Sequence, residues 1–254
     1  MVSPMVSPIA SPIARLRAFL ITDPLIVLAT IVYGTASLLV SFVDPARRRQ
    51  NAVERAWARA LLLVSGVKIK VEGLEKVTKD GSYVFVSNHM SYMDTPVALS
   101  SIPVRFRFLA KRGLFQIPFL GWHLGRAGHI RVPREDARAA VKTMTLAADV
   151  VRKEGVSLLI FPEGGRSRNG ETGDFKEGAA FIAIKAGVPL VPIALKGTRE
   201  VLPFGSGIVK AGTVTMRIGD PIPTAQATPR DRLRLTEELR QRVLALLEEH
   251  PIHA

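Results

Sequence analysis

An α/β architecture is predicted for this chain, with a largely parallel or mixed central sheet, helices on both faces of the sheet, and a membrane-associated helix pair ahead of it. From residue 67 onward, short apolar runs alternate with longer stretches in which apolar residues recur at helical spacing. Before that point lies an uncharged stretch at 24–43. A length of 254 residues and a hydrophobic content of 47% suffice to bury a large core.

The first residues, MVSPMVSPIASPIA, carry a proline at every fourth position. Because proline removes a backbone donor and clashes with the preceding helical turn, this repeat predicts a disordered tail over 1–21. The stretch 24–43 differs, since roughly twenty apolar residues can cross the ~30 Å hydrocarbon core of a bilayer. Thr22-Asp23-Pro24 is typical of a helix start, so a helix is predicted here.

A second helix is predicted over 45–66. Apolar residues recur there at helical spacing among several arginines, namely Val53, Trp57, Leu61 and Val64. A basic amphipathic helix that carries a tryptophan suits the headgroup region of a membrane.

These patterns divide the chain into a tail, membrane-anchoring helices over 22–66 and a catalytic domain over 67–254. The two helices form either a hairpin in one leaflet or a single span followed by an interfacial helix. The arginine cluster at 47–49 favours a catalytic domain on the cytoplasmic face of the cell (inner) membrane.

The catalytic domain is predicted to alternate between strands and helices. Val67, Ile69 and Val71 show the period of two of a half-exposed strand, whereas 83–87 is a continuous apolar run typical of a buried strand. Strands are predicted over 67–72, 83–87, 104–110, 129–132, 156–161, 189–195 and 213–218. Helices are predicted over 95–101, 135–153, 176–186 and 229–250, with an irregular helical connection over 113–125.

Charge and cysteine content restrict the function. The formal net charge of +13 indicates a polyanionic neighbour, for which an anionic membrane and nucleic acid both qualify. A nucleic-acid binder would interleave stacking aromatics with its cations, yet aromatic residues make up only 6% of the chain, so no nucleic-acid partner is expected. The lack of cysteine excludes disulfides, thiolate metal sites and a cysteine nucleophile.

A candidate base and a carboxylate stand where the strand over 83–87 ends. His89 and Asp94 are five residues apart, so they cannot meet on one helical face, where neighbours are three or four residues apart. If a helix begins near Ser91, Asp94 lies in its first turn and can bond the imidazole. Such a bond fixes the ring tautomer and leaves the other nitrogen free to take a proton from a hydroxyl.

Cations follow other strands at the same edge of the predicted sheet. Ligands of α/β sheets bind beyond the carboxyl ends of the strands, and Lys111, Arg134 and the stretch FPEGGRS at 161–167 each follow a predicted strand. Arginine presents a planar fork of donors to phosphate oxygens, so this rim suits a phosphate-bearing substrate. His123 and His129 show no ligand spacing with a matching carboxylate, which predicts that there is no metal site.

Four blocks of the sequence resemble those of the glycerolipid acyltransferase family, in the same order and at similar separations. They are Asn88-His89 with Asp94, GHIRVPR at 128–134, FPEGGRS at 161–167, and Val191-Pro192-Ile193. Within that family the sequence is most similar to lysophosphatidic acid acyltransferases. The resemblance covers about residues 67–220, and four ordered blocks are a far more specific signal than any one of them.

The resemblance implies a role for each matching residue. His89 would be the general base and Asp94 its partner. Lys111 or backbone N–H groups would stabilise the oxyanion, and Pro192 would shape the pocket wall. The implied glycerol-phosphate site consists of Arg134, Glu163, Gly164 and Arg166, and Lys111 and Ser167 are further substrate-binding candidates.

Two points within the third block stay open. The family usually has threonine where this chain has Gly165, so the hydroxyl contact is either missing or supplied by Ser167. Glu163 either contacts substrate or anchors Arg166 through an ion pair.

The resemblance also implies an activity, the transfer of a fatty acyl group from an acyl thioester to the sn-2 hydroxyl of lysophosphatidic acid, forming phosphatidic acid in phospholipid biosynthesis. Acyl-CoA or acyl carrier protein thioester would be the co-substrate, and no bound cofactor is implied. Glycerol 3-phosphate or another lyso-lipid, such as a lyso-ornithine lipid, is an alternative acceptor. A non-catalytic membrane lipid-binding protein is the alternative of another class, and anionic membrane lipids are expected partners.

Overall fold

A seven-stranded sheet organises the computed structural model, which describes residues 12–133 and 136–248. The strands are β1 (Val67–Glu72), β2 (Val84–Ser87), β3 (Phe106–Lys111), β4 (Ile130–Val132), β5 (Ser157–Ile160), β6 (Leu190–Lys196) and β7 (Gly212–Ile218). Their spatial order is β1-β7-β6-β2-β5-β3-β4. Only β6 and β7 pair antiparallel, so the predicted mixed sheet is confirmed.

Helices cover both faces of this sheet. The α-helices of the described residues are α1 (Pro12–Arg17), α2 (Asp23–Ser41), α3 (Arg48–Ser65), α4 (Asp94–Ser101), α5 (Leu120–Arg126), α6 (Ala137–Glu154), α7 (Gly178–Ala186), α8 (Thr198–Val201) and α9 (Arg232–Glu248). Side chains of α3 and α4 join one hydrophobic core, and those of α6, α7 and α9 join the other. β2 separates the two cores, because Phe85 lies in the first while Val84 and Val86 lie in the second.

The seven predicted strands are all present, with ends that differ from the predicted ones by at most two residues. The irregular connection over 113–125 is a 3₁₀ turn (Arg112–Gln116) followed by α5. The predicted last helix begins as a 3₁₀ turn (Pro229–Asp231) and continues as α9, while residues 249–250 lie outside the described residues. The short helix α8 was not predicted.

The expectation of a disordered tail over 1–21 is wrong for the part that the structure describes. α1 begins at Pro12, and a π-helical turn (Ala18–Thr22) joins it to α2. Proline is tolerated at the first helical position, and the wider π turn accommodates Pro24 near the start of α2. The remaining residues, 1–11, lie outside the described residues.

The helical stretch Arg15–Ser41 has the length and composition of a membrane-crossing helix. It contains 27 residues, has a mean hydropathy of 1.9 over its most apolar window, and buries only 6% of that window. Among the residues that the structure describes, it is the one helix that meets these criteria. The uncharged stretch at 24–43 is therefore helical as far as Ser41 and mostly exposed, as a lipid-facing helix is.

The second predicted membrane helix packs against the sheet. Ala58 and Leu62 of α3 lie in the same hydrophobic core as α4. On another side of α3, the indole N–H of Trp57 donates to the hydroxyl of Thr30 in α2 at 3.2 Å. α3 therefore connects α2 to the catalytic domain, and the domain boundary predicted at residue 67 cuts through one packed unit. Hydrophobic spacing alone cannot distinguish a face that meets lipid from one that meets protein.

Candidate active site

His89 and Asp94 form the contact that the sequence predicts. His89 lies just beyond β2 and Asp94 is the first residue of α4, so the turn between them brings Nδ1 of the imidazole to 2.7 Å from Oδ2 of the carboxylate. With Nδ1–H donating to Asp94, Nε2 is the nitrogen that can accept a proton. The His89 side chain is 18% exposed and thus accessible to a substrate.

The carboxylate of Asp94 is held by the turn that precedes it. Asp94 is fully buried, and its Oδ2 accepts backbone N–H bonds from Met90 at 2.8 Å and from Ser91 at 2.9 Å. The Ser91 hydroxyl donates to the carbonyl of Leu202 at 2.8 Å, which ties the turn to the chain after β6. The carboxylate therefore meets the imidazole in one fixed orientation, as the partner of a general base requires.

The loop after β5 holds the backbone of His89 from both sides. The N–H of His89 donates to Oε1 of Glu163 at 2.8 Å, and the N–H of Ser167 donates to the carbonyl of His89 at 2.8 Å. The ring of Phe161 stacks on the imidazole, with 4.0 Å between the ring centroids and 15° between their planes. Residues of the FPEGGRS block thus position the candidate base, a role that the sequence did not predict.

Glu163 is occupied by backbone donors. Its Oε1 accepts the N–H of His89, and its Oε2 accepts the N–H of Gly173 at 3.0 Å. Within the described residues it forms no ion pair with Arg166, so the anchoring alternative is not supported. The carboxylate holds two loops together, and a contact with substrate stays a prediction.

Burial raises the pKa of Glu163 above its ordinary value, against the N–H bonds from Gly173 and His89, which lower it. Because the folded-state pKa of Glu163 is raised, the contribution of its protonated carboxyl group to stability is complete at low pH. That contribution is lost as the pH rises through the folded-state pKa. We therefore expect Glu163→Gln, which cannot ionise, to gain stability relative to the unsubstituted protein as the pH rises above about 4.3, the ordinary pKa of glutamate. Unfolding temperatures of both proteins between pH 4 and pH 8 measure this difference, and a constant difference would contradict it.

Arg166 presents its guanidinium group beside the His89–Asp94 turn. Its Cζ lies 3.4 Å from the ring centroid of Tyr92, a residue of that turn, and 4.9 Å from the ring centroid of Phe204. Stacking on two aromatic rings holds a guanidinium in place without using its N–H donors. Among the described residues no carboxylate pairs with Arg166, so its donors are available to an anionic substrate.

The two glycines of the FPEGGRS block differ in what they require. Gly164 has a φ of +79°, and a Cβ there would lie 2.8 Å from Nζ of Lys176. Lys176 is a cation at this rim that was not among the predicted site residues. At Gly165 a Cβ would meet no atom within 4 Å. The backbone therefore requires glycine at 164, whereas the family's usual threonine fits at 165.

Paired substitutions test that difference. Gly164→Ala is expected to lower the free energy of unfolding by about 1–3 kcal/mol, because alanine is strained at positive φ. Gly165→Thr is the matched control and is expected to change it by less than about 0.5 kcal/mol. Denaturant unfolding of both variants measures the two values. Equal losses, or a larger loss for the threonine, would contradict the backbone assignment.

The other predicted site residues are placed differently. The Ser167 hydroxyl donates to Oδ1 of Asn169 at 2.9 Å and accepts the N–H of Gly170 at 3.0 Å, so it stabilises its own loop. Lys111 ends β3 as an exposed side chain, two strands away from β2. Arg134 lies outside the described residues.

Pro192 lies inside the sheet. It is a buried residue of β6, in register with Val86 of β2, and its ring lies against Gly219 near Leu246 of α9. Its closest neighbours are thus sheet and α9 residues, and the structure does not bring Pro192 to the His89 imidazole. A role as pocket wall stays a prediction.

A second polar cluster joins α3 to α5 and β4. Oε1 of the buried Glu54 lies 3.2 Å from Nε2 of His123 and 3.3 Å from Nε2 of His129. These three ligand atoms are close enough for a metal ion, although the sequence predicts none. Because the N–H of Phe108 donates to Nδ1 of His129 at 3.1 Å, Nε2 of that ring carries the proton, 3.3 Å from Oε1 of Glu54. This tautomer leaves Nε2 of His129 without a free lone pair, which favours a polar carboxylate–imidazole cluster over a metal site.

Glu54 is held ionised by this cluster. Burial alone would raise its pKa, but the side chains of His123 and His129 beside it outweigh burial and lower the pKa well below its ordinary value. Ser37 of α2 contacts Nδ1 of His123 at 2.9 Å, so the same cluster reaches the apolar helix. No sequence pattern indicates this cluster, since its members are spread from residue 37 to residue 129.

Comparison with known proteins identifies the family. An Acyltransferase family model matches residues 68–196. The chain is 38% identical over 191 residues to a chloroplastic 1-acyl-sn-glycerol-3-phosphate acyltransferase of Arabidopsis thaliana, covering 74% of this chain and 53% of that protein. It is 31% identical over 225 residues to the 1-acyl-sn-glycerol-3-phosphate acyltransferase of Pseudomonas aeruginosa, covering 87% and 85%.

A solved structure extends the likeness to the fold. The crystal structure of the 1-acyl-sn-glycerophosphate (LPA) acyltransferase PlsC from Thermotoga maritima matches with a TM-score of 0.76 at 26% identity, covering 93% of this chain and 99% of that one. The chain spans 53% and 58% of the length of two chloroplastic relatives. The four sequence blocks, the family model that matches half of the chain, and the shared fold agree with one another. This chain belongs to the Acyltransferase family.

Proposed function

We propose that the protein transfers a fatty acyl group from an acyl thioester to the sn-2 hydroxyl of lysophosphatidic acid, forming phosphatidic acid. One observation carries this proposal, the stacking of Arg166 on Tyr92, a residue of the turn that joins His89 to Asp94. A base and an unpaired guanidinium group therefore share one rim, as an acceptor with both a hydroxyl and a phosphate requires. The activity in the names of the relatives supports the same acceptor.

The chemical step follows from the orientation of His89. Nε2 removes the proton of the sn-2 hydroxyl while Nδ1–H remains bonded to Asp94. The hydroxyl oxygen attacks the thioester carbonyl, so that a carbon–oxygen bond forms as the carbon–sulfur bond breaks. The proton on His89 then passes to the leaving thiolate. Arg166 holds the acceptor phosphate, and backbone N–H groups or Lys111 at the rim stabilise the oxyanion.

The donor is a soluble thioester of coenzyme A or acyl carrier protein, and the enzyme needs no bound cofactor. Because the chain lacks cysteine, an acyl group on a protein thiol is impossible, and direct transfer to the acceptor is the simplest route.

The helical stretch Arg15–Ser41 attaches the enzyme to the membrane, where the lipid acceptor resides. Its exposed apolar side chains support this role, as does its length. Arg47, Arg48 and Arg49 follow directly and favour a catalytic domain on the cytoplasmic face, where the soluble donor is made. Acceptor and product stay in the leaflet while the donor arrives from the aqueous side.

An acceptor panel tests the proposal. Purified full-length protein in mixed micelles is given labelled acyl-CoA or acyl-acyl carrier protein with lysophosphatidic acid, glycerol 3-phosphate or a lyso-ornithine lipid. Labelled phosphatidic acid is expected, at a higher rate than any other product. Transfer to another acceptor alone would overturn the acceptor, and no transfer with any pair would favour a non-catalytic lipid-binding protein.

A further inference from the structure

A groove with apolar walls lies between the C-terminal end of α2 and α5, apart from the candidate active site. Its volume is about 630 Å³, within the range of small-molecule pockets. Leu38 and Phe42 of α2 form one wall, and Phe115 and Trp122 contribute to the others. Phe42 and Trp122 are 68% and 61% exposed, so the groove is open at the surface.

The groove continues the exposed apolar surface of α2. The segment ahead of α5 and its first residue expose further large apolar side chains, namely Ile117, Phe119 and Leu120. The Ser37–His123 contact at 2.9 Å fixes α5 against α2. Both walls therefore face the same environment, which under the membrane attachment proposed for α2 is the hydrocarbon of a bilayer.

Two arginines stand at this groove and are held there by its aromatic side chains. Cζ of Arg126 lies 4.0 Å from the ring centroid of Phe42, and Cζ of Arg131 lies 4.7 Å from that of Phe115. Within residues 12–133 and 136–248, no carboxylate pairs with either guanidinium group. Paired arginines with free donors beside an apolar groove complement a molecule that combines an acyl chain with a phosphate.

We propose that this groove binds one anionic phospholipid of the surrounding membrane, with an acyl chain along the apolar walls and the phosphate between Arg126 and Arg131. None of the residues that line this groove contacts His89 or Asp94, and β4, which carries Arg131, lies three strands from β2, or about 14 Å at the usual strand spacing. Phospholipid binding there would hold α5 at the membrane surface, beside α2.

Trp122 provides a direct probe, since the chain contains only two tryptophans. In a Trp57→Phe background, full-length protein is placed in phosphatidylcholine vesicles that contain increasing fractions of phosphatidylglycerol with brominated acyl chains. Bromine quenches a tryptophan that it contacts, so the fluorescence of Trp122 reports an acyl chain in the groove. Brominated phosphatidylcholine serves as the neutral comparison. We expect half-maximal quenching at a roughly tenfold lower fraction of the anionic lipid.

Charge variants separate the groove from general attraction to the membrane. Arg126→Gln/Arg131→Gln is expected to abolish the preference for the anionic lipid. Lys142→Gln/Lys153→Gln on the exposed side of α6 removes the same charge elsewhere and is expected to preserve it. Equal quenching by the two lipids, or an equal loss of preference in both double variants, would overturn the proposal. The measurement needs no turnover, so its outcome is independent of the proposed acyl transfer.

Discussion

His89→Ala is expected to lower the turnover number for phosphatidic acid formation by a factor of about 10²–10⁴. The loss follows from the geometry, because Nε2 of His89 is the accessible basic nitrogen whose partner nitrogen is already bonded to the buried Asp94. Initial rates with labelled acyl thioester and lysophosphatidic acid, for the variant and the unsubstituted protein in the same micelles, measure the effect.

His89→Gln is the matched control for this loss. Glutamine fills much of the same space beside Phe161 and can bond Asp94, but it cannot take up a proton at neutral pH. Both variants should therefore be equally slow, with unfolding temperatures close to that of the unsubstituted protein. A glutamine variant that retains more than about a tenth of the activity would refute general-base catalysis by this residue, since such catalysis contributes at least about 10².

The central contact of the site could be predicted because it is local. His89 and Asp94 are joined by a short turn, and the strand before it and the helix after it are both visible as sequence patterns. The hydrogen bond from the backbone of His89 to Glu163 could not be predicted, because Glu163 lies 74 residues further along the chain. The family resemblance identified Glu163 and Ser167 as site residues without indicating the loop contacts that both make, and their contacts with substrate stay a prediction.

Aromatic partners of the site show the same limit. Phe161 and Tyr92 lie inside two of the sequence blocks that resemble the family, so their position in those blocks marks them as candidates. Phe204, which lies beside Arg166, belongs to no motif and reaches the site only through the chain after α8. Tertiary contacts of this kind leave no periodic signal in a sequence.

For the fold, hydrophobic periodicity predicted the elements but not their surroundings. Val67 to Glu72 alternates as a strand does, and β1 lies where it was predicted, but nothing in that alternation tells that β1 and β7 run opposite to the central strands. Likewise, the amphipathic pattern of α3 predicts a helix with a buried face without saying what buries it. A membrane was predicted there, and the structure shows that one face of α3 packs on α4 and the sheet, while membrane contact of its other side chains stays a prediction.

Asp94→Asn is expected to lower the turnover number by about 10²–10⁴ while changing KM little. An asparagine oxygen at the position of Oδ2 can still accept the N–H bonds of Met90, Ser91 and His89, so the ring orientation is retained. What is lost is the negative charge that stabilises the imidazolium formed when His89 takes the proton. The amide nitrogen would occupy the position of Oδ1, which has no hydrogen-bond partner among the described residues.

The double variant His89→Ala/Asp94→Asn decides whether the two residues act as a unit. If Asp94 acts only through the imidazole, its substitution has no further effect once the imidazole is gone, and the double variant should be as active as His89→Ala alone. A further fall by the full Asp94→Asn factor would mean that the carboxylate acts on the substrate or on the fold by itself. Unfolding temperatures of the three variants separate those two cases, because only an effect on the fold lowers stability along with activity.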